Sequence, residues 1–153
     1  MFPHFKALFA PTIAALIAFS AATPASAGTL SQSCLAVDRV AKPQVTVYFA
    51  VDSVAISAQD RALLTKAAYD GQSQGRVCVI GQADKQGNTA HNMALAAKRA
   101  NAVADILRSN GLNSGLLEAG ARGEAFNDSV LEILGSQKQD RRVDVYFITN
   151  AER

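Results

Sequence analysis

Three polar residues in one short stretch carry the chemistry this chain offers: Asp84, Asn92 and Arg99. Asn92 and Arg99 are seven apart, two turns of a helix, so they fall on one face. Stepping about 100° per residue from Asn92, residues Leu95, Ala96, Arg99, Val103, Ile106 and Leu107 all lie within about 60° of it. Lys98, Asn101, Asp105 and Arg108 fall on the other side. The inward stripe is therefore apolar with two polar intrusions. A guanidinium there is costly unless something pairs with it. One reading is structural: Arg99 snorkels or is bridged by Asp84 or Asp52. The other is that Arg99 lines a cleft and grips an anionic ligand group in its bidentate fork. Asp84, in the polar loop just before the helix, reads alone as a turn or capping aspartate. With Arg99 it could form a clamp for a zwitterion, the carboxylate taking an ammonium and the arginine a carboxylate.

These residues need a scaffold, and the chain supplies one ordinary domain. It has 153 residues, 49% hydrophobic and 18% charged, which excludes a multidomain enzyme and a disordered tail. A net charge of +2 without a run of like charges gives no footprint for nucleic acid. Residues 1–27 read as a cleavable secretory signal. Lys6 is followed by an apolar run, Ala7 to Ala22, and by the small residues Ala25-Ser26-Ala27. The run falls short of the ~20 residues that span a bilayer. Its removal would leave no stable transmembrane segment. Cys34 follows Gln32-Ser33 rather than small apolar residues, so a lipoprotein junction is not expected.

Export decides how Cys34 and Cys78 read. Two cysteines in an exported small domain favour one disulfide, which would add roughly 3–4 kcal/mol by loop closure. Two buried free thiols are the alternative. His91 is the only histidine beyond the leader, so no metal site is expected. No cofactor is implied.

Residues 28–44 form a lead-in, and 45–153 a single domain. Val45 to Phe49 is a β-branched strand. Ser57 caps a helix running to Ala68–Tyr69, with Ala62, Leu63 and Ala67 inward. Arg76 to Gly81 is a strand apolar enough to be buried on both faces. The polar loop 82–89 leads to a helix from Ala90 to Asn110, which Asn110-Gly111 stops. Leu116 to Ala119 is a third strand, with a helical turn near Val130–Leu134, and Arg142 to Ile148 closes the fold. The order β-α-β-α-β-β makes an α+β sandwich, helices on one face of a small mixed sheet.

At this point the chain resembles a family. The run Asp84-x-x-Gly87-(x)4-Asn92-(x)2-Leu95-Ala96-(x)2-Arg99-Ala100-(x)2-Val103-(x)3-Leu107 resembles the signature of OmpA-like C-terminal domains, found also in Pal lipoproteins and MotB stators. Tyr48 to Ile56 resembles that family's first strand and loop, Gly123-Glu124 its G-x-G-E turn, and Asp140 to Val145 its closing strand. The resemblance covers about Val45 to Ile148. Departures are Ala83 for Thr, Ala96 for Ser, His91 for Tyr or Leu, Ala121 for Gly and Asn127 for Pro.

The resemblance implies non-covalent binding of peptidoglycan through the diaminopimelate residue of the stem peptide. Asp84 would take the ammonium and Arg99 the carboxylate. Asn92 and Asp52 would add hydrogen bonds, and an arginine of the closing pair Arg141-Arg142, Arg142 first, would complete the rim. It implies a periplasmic protein of the cell envelope, in contact with the outer membrane or an envelope partner. It also implies a binding module rather than an enzyme. Ser53 and His91 could be imagined near Asp84, but nothing in their spacing demands a catalytic arrangement. A scaffold that keeps the fold for protein contacts is the alternative function.

Overall fold

The computed structural model describes residues 29–83, 87–123 and 141–149. The expected leader, Asp84, Glu124, Asn127, Asp140 and the helical turn near 130–134 lie outside the described residues. An arm of a four-residue helix α1 (Gln32–Leu35) and a 3-10 turn (Val37–Arg39) leads into β1 (Val45–Tyr48). Then follow α2 (Ala58–Gly71), β2 (Arg76–Gln82), α3 (Thr89–Ser109), a 3-10 turn (Ser114–Leu116), β3 (Leu117–Arg122) and β4 (Arg142–Ile148).

The four strands make one mixed sheet in the order β1-β4-β2-β3. β4 runs antiparallel to both β1 and β2, while β2 and β3 are parallel. The parallel pair needs a crossover, which α3 provides.

Each helix starts and stops as its sequence dictates. The Ser57 hydroxyl accepts from the Asp60 amide at 3.1 Å and donates to its carboxylate at 2.6 Å. Asn88 caps α3 by accepting from the His91 amide at 3.0 Å. Gly111, at φ +96°, takes the left-handed position that ends the same helix.

Both helices pack on one face of the sheet. Val47, Val77, Val79, Val143 and Val145 meet Leu64, Ala100, Val103, Ala104 and Leu107 there. The α2 face differs from expectation. Leu64, Ala67, Ala68 and Gly71 point inward, whereas Ala62 is exposed and Leu63 is 47% exposed. Spacing i, i+3, i+4, i+7 from Leu64 makes a continuous stripe, which Ala62 and Leu63 cannot join.

The other face carries the alternate residues Cys78, Ile80, Tyr146 and Ile148, and the N-terminal arm covers it with Leu30, Val37, Leu35 and Ala41. Hence β2 is buried on both sides, as its uninterrupted apolar run requires. Cys34 and Cys78 form a disulfide with Cα atoms 5.5 Å apart.

The fold also needs one close approach. A Cβ placed on Gly81 of β2 would lie 2.2 Å from the carbonyl oxygen of Ala96 on α3. Only a residue without a side chain lets the helix sit this near the strand. Gly81→Ala should therefore lower stability by about 1–3 kcal/mol, the usual cost of overpacking against backbone. A urea melt checks it, with an unshifted midpoint as the contrary result.

Candidate functional site

Arg99 sits in the third turn of α3 and is 3% exposed. Its Nε donates to the carbonyl of Ser53 at 2.8 Å, and its Nη2 to the carbonyl of Ala50 at 2.9 Å. Its guanidinium carbon lies 5.2 Å from the centroid of the Phe49 ring. The arginine thus holds the turn that follows β1. A charged donor on each of two carbonyls makes strong, directional bonds in a buried place.

That turn is itself tightly built. The Ser53 amide bonds the Ala50 carbonyl at 3.2 Å, and the Ser53 hydroxyl accepts from the Ala55 amide at 3.1 Å. Asp52 lies between them at φ 49°, in the left-handed region that aspartate tolerates better than most residues. Its carboxylate projects to solvent, 3.6 Å from Nε2 of His91 in the first turn of α3. Both side chains are well exposed, so this pair adds little stability. It does place Asp52 beside the start of α3. Asn92, the next residue after His91, is half-buried on the helix.

The expected set is therefore brought together in part. Asp52 and Arg99 meet through one turn, and Asn92 lies two helical turns before Arg99 on the same stripe. Asp84 belongs to the loop between β2 and α3, outside the described residues; described residues on both sides, Ala83 and Gly87, lead into and out of it.

Arg142 stands apart from the Asp52–Arg99 turn. Neighbouring strand residues face opposite sides of a sheet, and Arg142 falls on the side away from the helices. Its Nε bonds Asp144 Oδ2 at 3.0 Å. Asp144 is 2% exposed and also accepts from Thr46 Oγ1 at 2.8 Å and from Gln82 Nε2 at 3.3 Å. Burial pulls the Arg142 guanidinium down, but the Asp144 hydrogen bond and charge outweigh it, and its pKa is raised. In the same cluster burial, with the Asp144 charge, pushes the Tyr146 phenol up to about 12. These groups brace the sheet on its arm-covered side.

Arg141 is the member of the pair on the other phase. Its Nε reaches the carbonyl of Phe49 at 3.4 Å, and its own carbonyl accepts from the Phe49 amide at 2.9 Å. Arg141, Phe49 and His91 thus stand around the Asp52–Arg99 turn. The sequence names Arg141 only as a member of the closing arginine pair, and gives no signal that Phe49 and His91 belong beside it. Among the described residues no group of His, Cys, Asp and Glu side chains could hold a metal ion. None of their helices is long and apolar enough to cross a membrane.

Residues 48–140 match the OmpA family. The chain belongs to the OmpA family. A peptidoglycan-associated lipoprotein of Mesorhizobium japonicum is 32% identical over 98 residues, 63% of this chain and 58% of the relative. The chain thus spans less than two thirds of that relative's length. Among solved structures, the peptidoglycan-associated lipoprotein of Burkholderia pseudomallei is similar at a TM-score of 0.58 and 30% identity. That match covers 69% of this OmpA-family chain and 90% of the other. The OmpA-like domain of FopA1 from Francisella tularensis is similar at 0.54 and 25% identity, over 66% of this chain and 68% of that one. The C-terminal domain of Helicobacter pylori MotB shares the fold at 0.55 and 24% identity, over 71% and 86%.

The Arg99 fork in this OmpA-family domain makes a stability prediction. Arg99→Lys keeps the charge but cannot reach two carbonyls from one planar group. It should cost about 1–3 kcal/mol and raise amide exchange of residues 50–55. Denaturant melts with hydrogen exchange check this, and an unchanged turn would contradict it.

Proposed function

We propose that this chain is an exported, periplasmic binding module of the cell envelope that holds peptidoglycan non-covalently, and that it is not an enzyme. Arg99 carries the reading. A guanidinium buried in an apolar stripe, its orientation fixed by Ser53, Ala50 and Phe49, is pre-organised to meet a carboxylate. The family supports the same reading, because relatives named for peptidoglycan association share this domain. The ligand group is the free end of diaminopimelate in the stem peptide, a zwitterion. Asp84 takes its ammonium and Arg99 its carboxylate. Asn92 on α3 and Asp52 on the neighbouring turn supply hydrogen bonds. Arg141 takes the rim position expected of Arg142, since it is the arginine tied to Phe49. Asp144 engages Arg142 on the other side of the sheet.

One observation favours a second reading. The same two carbonyls give Arg99 a wholly structural use, which a scaffold for envelope protein contacts would also retain. Co-sedimentation with diaminopimelate-type sacculi separates the two. Wild type should pellet. Asp84→Ala, folded by circular dichroism, should weaken the apparent affinity for sacculi by a factor of at least ~10, about 1.4 kcal/mol. A wild-type chain that stays in the supernatant, or an Asp84→Ala chain that still pellets, would favour the scaffold.

A further inference from the structure

The family match begins at Tyr48, so it does not account for the arm before β1. That arm is built against the sheet in three places. At its start, the Ser31 amide donates to Glu118 Oε2 at 2.9 Å, and Arg76 bridges Glu118 and the Ser31 hydroxyl. In the middle, Cys34 is joined to Cys78 of the central strand β2. At its end, Arg122 donates to the Leu35 carbonyl at 3.0 Å and pairs with Asp38 at 3.1 Å. Around these points Leu30 and Val37 cover Cys78, Ile80, Tyr146 and Ile148.

This second apolar cluster shares no residue with the core between helices and sheet. The core under α2 and α3 is complete without the arm. The arm, by contrast, is a four-residue helix and a three-residue turn, too short to hold a conformation by itself. Both cysteines are fully buried. A thiol or disulfide in solution can therefore reach them only when the arm is off the sheet.

We propose that residues 29–41 form a redox-locked strap. In the dithiol state the strap lifts and the outer face of the sheet is uncovered, while the helix–sheet body stays folded. An external disulfide of small-molecule or oxidoreductase class closes it. That disulfide takes two electrons and two protons from Cys34 and Cys78 and leaves as two thiols. The strap then buries the new bond, which protects it from exchange. The domain is thereby finished only in an oxidising compartment. This inference is independent of the wall-binding reading.

Hydrogen exchange on the oxidised chain and on a Cys34→Ala/Cys78→Ala variant tests it. In the variant, amides of residues 34–41 should exchange at least ~10-fold faster, with those of α3 and β4 unchanged. An apolar dye should also gain fluorescence on the variant. An arm equally protected in both chains would overturn the proposal, because non-covalent contacts would then suffice. Loss of protection throughout α3 and β4 would overturn it too, since the disulfide would then hold the whole domain.

Discussion

A single buried guanidinium couples the frame of this domain to its candidate site. Arg99 reaches from the inner stripe of α3 across to the turn after β1, and bonds two carbonyls of that turn. Without it, residues 50–53 would lose their tie to the helix, and Asp52 its position near the start of α3. The cost of burying the charge is offset by two charge-assisted bonds and the Phe49 ring. The rest of the structure serves this geometry. Gly81 lets α3 lie close on β2, and the caps at Asn88 and Gly111 fix its length. Strand order brings β1 and β4 together, so that Phe49 and Arg141 share the same corner.

The sheet has two faces with separate tasks. The inner face supports the helices and, through α3, the candidate site. The outer face holds the Asp144 cluster and the strap. β2 lies between β4 and β3 and leads into the loop bearing Asp84. The disulfide attaches the arm to that strand.

Much of this was legible from residue patterns. The period of 3.6 from Leu95 to Leu107 placed Arg99 inward, and Ser57 and Asn110-Gly111 marked helix ends. The continuous run Val77 to Ile80 showed a strand without a wet face. Two features were hidden for a reason of phase. In α2 the apolar residues are nearly contiguous from Ala62 to Leu64 and again at Ala67 and Ala68, so the sequence leaves the inward side undecided. Leu64 sets it through packing on the sheet. At the entry to β4, Arg141 and Arg142 are adjacent and face opposite sides, and both phases beyond them are largely apolar. Only the register with β1 and β2 shows which arginine belongs with Phe49. The carbonyl partners of Arg99 were also hidden, since the sequence offers carboxylates as obvious partners and backbone oxygens leave no trace in it.

The central claim is that one guanidinium both holds the turn and receives the ligand carboxylate. Nitrogen-15 NMR of the Arg99 side chain tests this most directly, with a diaminopimelate-containing stem peptide as titrant. In the free protein the Nε–H signal should be slow to exchange, protected by Ser53. On titration the guanidinium signals should shift and saturate, while the Nε–H keeps its protection. Arg99 signals that stay unchanged when the peptide is bound would contradict the account and leave Arg99 as a structural pin alone.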